Sequence, residues 1–301
     1  MTDDTSRHEL FPTAGEDARE AERHADTPQS LSPSYRLAYR DVDFLLRDEL
    51  RPVRLQLELL KPELILKEQA IETTIVVFGS ARTAAPEVAA ARLESARGEL
   101  TRNPADPEAR RRVHLAERAY ERSRYYAEAR RFARLVSQRC QTPERRDFVV
   151  ITGGGPGIME AANRGAHDVG AVSIGLNIVL PREEAPNVYT TPELCFQFHY
   201  FALRKMHFLM RARALVLFPG GFGTLDELFD ALTLIQTGKI KPMPVLLFGR
   251  DYWKRIIDFE AMADEGVISE ADVDLVQFVE TAEEAWQHIR DHYGITDNPC
   301  A

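Results

Sequence analysis

Apolar positions follow two different periods along the chain. Between residues 35 and 70 they recur at helical spacing, as Val42, Leu45, Leu46 and Leu50 and then Leu55, Leu57, Leu59 and Leu60. Pro52 and Pro62 punctuate the stretch, which predicts two or three short helices. Beyond it the pattern changes to short, continuous, β-branched runs. Residues 74–78 (Thr-Ile-Val-Val-Phe), 148–152, 171–176, 214–218 and 244–248 each read as a strand, and 275–279 as a weaker sixth. Helical stretches separate most of them. Continuous apolar strands alternating with helices predict a mainly parallel sheet covered on both faces, that is, a doubly wound Rossmann-like α/β fold.

The polar stretches define the rest of the organisation. Residues 1–34 are charged, carry Pro12, Pro28 and Pro33, and have few apolar anchors, which predicts a disordered tail. The helical lead-in at 35–70 then precedes a nucleotide-binding catalytic domain at 71–292. Within that domain, residues 86–124 are rich in Ala, Arg and Glu and broken by Asn103-Pro104-Ala105-Asp106-Pro107. This predicts an inserted helical hairpin between the first strand and its crossover helix, either a solvated pair or a partner surface.

Composition narrows the class. Hydrophobic residues make up 44% of the 301, enough for a sizeable core, and the net charge of −9 gives no general attraction to nucleic acid. Cys140, Cys195 and Cys300 are scattered and odd in number, as expected in a reducing compartment. The acidic start, Met1-Thr2-Asp3-Asp4, has no apolar stretch behind it, and no run approaches the roughly 20 residues that span a bilayer. The expectation is a cytoplasmic protein without membrane or nucleic-acid partners. No metal site is expected, because histidines such as His199 and His207 lie in no zinc spacing.

The candidate chemistry lies where strands end in glycine. Phe218-Pro219-Gly220-Gly221-Phe222-Gly223-Thr224-Leu225-Asp226-Glu227 runs from a buried strand through three glycines into an amphipathic helix. Glycines admit close approach of a ligand to the backbone, and unpaired N–H groups at a helix start favour an anion. The same residues also suit a plain tight turn followed by acidic residues at a helix start. Gly153-Gly154-Gly155-Pro156-Gly157-Ile158-Met159-Glu160 repeats the design, and Gly79-Ser80-Ala81-Arg82 is a third instance. None of them is a dinucleotide fingerprint or a Walker A loop. Arg204-Lys205 sits on a helix leading into the strand before Pro219, as a solvated cationic face or a pair at the loop's rim.

These residues resemble the Lonely Guy (LOG) phosphoribohydrolases. Pro219 to Glu227 is similar to that family's P-G-G-x-G-T-x-x-E motif and Arg204-Lys205 to its R-K pair. Gly153 to Ala166, Gly79-Ser80-Ala81-Arg82, and Gly175-Leu176-Asn177 with Leu180-Pro181 are similar to its longer bacterial branch. The resemblance covers residues 71–263. It implies hydrolysis of the N-glycosidic bond of a nucleoside 5′-monophosphate (AMP, a cytokinin riboside monophosphate, or both), without a cofactor, by a homodimer or larger homo-oligomer. It implies Arg204 and Glu227 as the catalytic pair. Gly79, Ser80, Gly154, Gly155, Gly157, Lys205, Gly220, Gly221, Phe222, Gly223, Thr224, Leu225, Asp226 and Thr233 would contact substrate. Glu183, in Leu180-Pro181-Arg182-Glu183, would be a further contact. Phe222 replaces a common tyrosine. The expected chemistry passes through an oxocarbenium-like state, with Glu227 held ionised by Arg204.

Two other readings compete. One is a non-catalytic nucleotide-binding or carrier protein using the same loops; the Arg204–Glu227 pair favours the enzyme over it. The other is the pyridoxal-phosphate lysine decarboxylase of the family's old label, rejected because that chemistry needs a Schiff-base lysine on a much larger scaffold.

Overall fold

The computed structural model describes residues 11–23, 26–138, 141–181 and 185–295. It falls into two units, 1–58 and 59–301, with the division inside helix Arg51–Glu68. In the first unit, helix Ala14–Glu20 starts on a capping box: Thr13 accepts from the Glu16 N–H, and the Glu16 carboxylate accepts from the Thr13 N–H at 2.8 Å. Tyr39 and Arg40 donate to the carbonyls of Ala14 and Ala18. The segment expected as a disordered tail thus contains a helix among its described residues. Caps and carbonyl contacts support it where apolar anchors are absent.

The lead-in also departs from the expected pattern. Helix Val42–Leu45 is short and capped by Asp41, but helix Arg51–Glu68 runs straight through Pro62. Pro52 occupies its first turn, where a missing N–H costs nothing. Pro62 removes one ladder bond, and its ring and Leu66 are buried in return.

The second unit is built on a seven-stranded, all-parallel sheet. Its strands are β1 (Thr74–Phe78), β2 (Val149–Thr152), β3 (Ser173–Ile178), β4 (Cys195–Phe198), β5 (Ala212–Leu217), β6 (Val245–Phe248) and β7 (Val276–Val279). Their order is β4-β3-β2-β1-β5-β6-β7. This is the doubly wound α/β fold that the strand pattern predicts. Six strands coincide with the expected runs. The pattern predicts no strand at β4, an edge of four residues in which Phe196 and Phe198 are buried while Gln197 is exposed.

Alternate residues of β1 feed two cores. Ile75 and Val77 pack with Phe132, Ile158 and Trp286, from helices Arg124–Ser137, Ile158–His167 and Ala282–Tyr293. Val76 and Phe78 pack with Phe208, Leu228 and Trp253, from helices Phe201–Met210, Phe222–Gln236 and Arg250–Ile256. A sheet covered on both faces requires unbroken apolar strands, and all five residues of β1 are buried. Between β1 and helix Arg124–Ser137, helices Pro86–Arg102 and Pro107–Arg122 form a hairpin. Arg97–Glu117 (2.9 Å) and Arg112–Glu99 (3.1 Å) join its arms, and Asp106 caps the second helix.

Candidate active site

The order of the strands reverses between β1 and β5, and ligands of open parallel sheets bind at such a reversal, beyond the strands' carboxyl ends. All three glycine loops emerge there, because β2, β1 and β5 are neighbours. The Ser80 N–H donates to the Pro219 carbonyl, and the Ile158 N–H donates to the Ser80 carbonyl, both at 3.2 Å. The loops after β1, β2 and β5 are therefore joined in one hydrogen-bonded surface. Gly157 has φ +74°, and a Cβ there would overlap the Ser80–Ala81 backbone, so the second loop can meet the first only through glycine.

The Gly153–Gly157 loop is braced from beneath by a buried polar network. Thr152 Oγ1 donates to Asn163 Oδ1 at 2.8 Å and accepts from the Gly154 N–H at 2.9 Å. Asn163 Nδ2 donates to Ser173 Oγ at 2.9 Å. Asn187 Nδ2 lies 3.0 Å from each of the Gly154 carbonyl, the Gly155 carbonyl and Asn163 Oδ1. Sequence reasoning missed Asn163 and Asn187. The available signal for Asn163 was a lone polar residue among Ala161, Ala162 and Ala166 on a helix's buried face. Asn187 lies in a loop and carries no such signal.

The Pro219 loop is arranged differently. Gly221 is the N-cap of helix Phe222–Gln236, whose first turn leaves backbone N–H groups outside the helical ladder. Thr224 is buried beneath Gly220, and Tyr252 donates its hydroxyl to the Gly220 carbonyl at 2.5 Å. Phe222 is 92% exposed and stands at the rim. A shallow cleft beside it is lined by Lys205, Phe222, Leu225, Asp226, Asp230 and Thr233. The Thr233 hydroxyl donates to the Phe229 carbonyl of its own helix at 2.7 Å.

Helix Phe201–Met210 brings the cations to this edge. Arg204 Nε donates to the Leu176 carbonyl at 2.8 Å, and a Cβ on Gly153 would lie 2.7 Å from Arg204 Nη2. Arg204 is thus seated against β3 and the second loop, at a point only glycine leaves open. Lys205 Nζ lies 3.1 Å from Asp226 Oδ1 and 3.6 Å from Asp230 Oδ2. Burial works against the Lys205 charge, but the bond to Asp226 and the charges of Glu227 and Asp230 outweigh it and raise its pKa. Glu227 is half-buried in the same first turns, and burial pushes its pKa up to about 7. Lys205 and then Arg204 oppose that rise, and Asp226 and Asp230 reinforce it. Arg204 favours ionised Glu227, in the expected direction, but other groups at this site act against it. Burial, together with Asp226 and Asp230, outweighs Lys205 and Arg204, and Lys205 acts on Glu227 more strongly than Arg204 does.

The structure brings Gly79, Ser80, Gly154, Gly155, Gly157, Arg204 and the residues 220–227 together at the carboxyl ends of the central strands, and Lys205 and Thr233 line the cleft beside Phe222, while Glu183 lies outside the described residues. Among the described residues no cluster of His, Cys, Asp and Glu could hold a metal, and no helix is long and apolar enough to cross a membrane.

A parallel α/β sheet with three glycine loops and a carboxylate–cation cluster at its reversal defines a class of site, and comparison with known proteins narrows it. The family model described as "Possible lysine decarboxylase" matches residues 159–289. Cytokinin riboside 5′-monophosphate phosphoribohydrolase LOG7 of Arabidopsis thaliana is 32% identical over 130 residues, covering 42% of this chain and 58% of that protein. Cytokinin riboside 5′-monophosphate phosphoribohydrolase LOG of Oryza sativa subsp. japonica is 33% identical over 131 residues, covering 42% of this chain and 52% of that protein. The match to these two curated relatives thus spans between half and two thirds of their length. The resemblance to the LOG family read from the Pro219 loop and the Arg204–Lys205 pair is borne out. Among solved structures, the molybdenum cofactor carrier protein of Chlamydomonas reinhardtii is 17% identical with a TM-score of 0.41, covering 74% of this chain and 99% of that one.

Proposed function

We propose that the protein hydrolyses the N-glycosidic bond of a nucleoside 5′-monophosphate, AMP or a cytokinin riboside 5′-monophosphate or both, giving free base and ribose 5-phosphate. The observation that carries this reading is the meeting of three hydrogen-bonded glycine loops with the Arg204–Lys205–Glu227 cluster at the carboxyl ends of the central strands. The phosphate would rest on the first turn of helix Phe222–Gln236, where backbone N–H groups and the helix dipole favour an anion. Lys205 and Arg204 add positive charge beside it. As the C1′–N bond breaks, its electron pair leaves with the base, and positive charge grows on the ribose ring. Ionised Glu227 stabilises that charge and takes one proton of the water whose oxygen bonds to C1′. The departing base nitrogen takes up one proton, so that neutral base and ribose 5-phosphate result and Glu227 returns its proton to solvent. A carboxyl with its pKa near 7 suits this exchange, because it gives and accepts a proton at similar cost near neutral pH. A cytoplasmic homo-oligomer is part of the same proposal.

The test is a nucleotide panel with the purified protein: AMP, isopentenyl-AMP, the other purine and pyrimidine monophosphates, and adenosine, with products identified by chromatography. AMP or its isopentenyl form should yield free base, and adenosine should be a very poor substrate. Comparable turnover of adenosine would overturn the phosphate-bound reading. Tight AMP binding without release of adenine would leave a nucleotide-binding or carrier protein.

A further inference from the structure

The backbone of the Pro219 loop turns three successive carbonyls into the protein. The Pro219 carbonyl accepts from the Ser80 N–H at 3.2 Å, and the Gly221 carbonyl accepts from the N–H groups of Thr224 and Leu225 at 3.0 and 3.1 Å. Between them, the Gly220 carbonyl accepts from the Tyr252 hydroxyl at 2.5 Å. In a trans peptide the C=O and the following N–H point in opposite directions, and the described residues contain no cis peptide. Inward carbonyls at 219, 220 and 221 therefore turn the N–H groups of Gly220, Gly221 and Phe222 to the other side. No acceptor among the described residues takes these three N–H groups.

The middle peptide of the three is the one free to turn over. It joins two glycines, and Gly221 has φ −95° and ψ −154°. Rotating the Gly220–Gly221 peptide by half a turn would bring Gly221 to a φ of about +85°, which glycine accepts and other residues avoid. The rotated peptide would aim a carbonyl oxygen outward in place of an N–H. Among the described residues, the Tyr252 hydroxyl is the one group bonded to the Gly220 carbonyl. Its ring is partly buried against the core and stands edge-on to Trp253, so packing holds the hydroxyl in place.

We propose that Tyr252 is a positioning residue for phosphate binding: by holding the Gly220 carbonyl it fixes the Gly220–Gly221 peptide in the orientation that presents the Gly221 N–H to the nucleotide phosphate. This rests on the phosphate seat of the hydrolase reading above. Tyr252 acts through the backbone and need not touch the substrate. It lies 32 residues beyond Gly220, on a helix that carries no glycine motif, so the sequence does not single it out.

The experiment is a cycle on the full chain with Tyr252→Phe, Gly221→Ala and both together, read as the affinity for inorganic phosphate and for AMP by titration calorimetry. Glu227→Gln is present throughout the AMP series so that the nucleotide is not consumed. Tyr252→Phe keeps the ring and its packing, and thermal melts confirm folding. It should weaken phosphate and AMP alike by about 3–10-fold, because one hydrogen bond no longer sets the fraction of molecules with the peptide correctly turned. A Cβ on Gly221 meets no atom of the protein, but alanine resists the rotated conformation. Whatever Gly221→Ala does alone, Tyr252→Phe should then change either affinity by less than about twofold on that background. Unchanged affinities in folded Tyr252→Phe would overturn the proposal. So would an equal loss on both backgrounds, because the hydroxyl would then support the loop in general and not one peptide's orientation. Should alanine at 221 block the ligand itself, a crystal structure of ligand-free Tyr252→Phe decides: the Gly220 carbonyl should be turned outward in most molecules, and an unturned peptide would overturn the proposal. Binding needs no turnover, so a Tyr252 that behaves as expected in a protein that leaves AMP intact would refute the hydrolase reading and not this role.

Discussion

The two long glycine loops have the same sequence design and opposite surroundings. The Gly153–Gly157 loop is sealed from below: Thr152, Asn163 and Asn187 satisfy its polar groups inside the protein. The Pro219 loop is held by the Ser80 N–H and the Tyr252 hydroxyl, and it presents its helix start and the exposed Phe222 beside a half-buried Glu227. A largely buried, hydrogen-bonded polar network makes a rigid wall. A half-buried carboxylate among four charged neighbours is costly to hold and chemically responsive. Similar glycine spacing can therefore serve as scaffold in one place and as reactive edge in another, and the side chains underneath decide which.

The sharpest way to break this contrast is Glu227→Gln. If the Pro219 edge carries the chemistry, kcat for AMP should fall by about 10²–10⁴, the range for a positioned acid–base group, with AMP binding retained. The same change should stabilise the fold. The folded-state pKa of Glu227 is raised from 4.5 to about 7, so stability present below pH 4.5 is lost as pH rises through 7, by about 3 kcal/mol. Gln avoids that loss, and thermal melts should show a higher Tm for the variant at pH 8 and little difference at pH 4. In the wild type, kcat/KM should climb as pH rises through about 7 while Glu227 ionises. Normal kcat in a folded variant would remove Glu227 from the mechanism.

Arg204→Ala should act on binding and turnover together. It removes a cation from the edge and the anchor to the Leu176 carbonyl, so KM should rise as kcat falls, with kcat/KM down by roughly 10–100-fold. A change in kcat alone would show that Arg204 does not meet the substrate anion. The sealed loop should respond in the opposite sense. Asn163→Leu strips partners from Thr152, Ser173 and Asn187 and should cost about 1–3 kcal/mol in urea unfolding, with modest effect on turnover per folded molecule. A loss of turnover as large as that of Glu227→Gln would erase the distinction between wall and edge. The smallest effect is expected from replacing the hairpin of helices Pro86–Arg102 and Pro107–Arg122 by a short linker. Steady-state kinetics per folded subunit should barely change, and a large fall in kcat would place the hairpin over the site.

Most of this architecture is legible in the sequence because it rests on local signals. Continuous apolar runs mark strands buried on both faces, and glycines mark where β1, β2 and β5 end. What escapes depends on partners distant in the chain. Cys195–Phe198 is too short and too mixed to read as a strand until β3 supplies its pairing. Pro62 reads as a helix breaker until burial offsets its lost bond. Asn187 braces Gly154 only because the fold brings residues far apart in the chain together. The burial of Glu227 escapes the sequence for the same reason. Its cationic neighbours can be named from a motif, but the desolvation that opposes them exists only once the helices pack.

The central strand β1 has a further consequence, for the order of events as the chain folds. Thr74 pairs with Val149 on one side and Ala212 on the other, so neither edge of this strand can form from nearby chain. Closing such long loops is entropically costly and slow, and apolar segments wait unpaired meanwhile. The hairpin lies within the first of these loops and is held by contacts between its own arms. Once folded it is compact, and it shortens the flexible chain that must be searched before β2 reaches β1. A hairpin held by its own contacts can in this way speed assembly of the sheet that carries the candidate site.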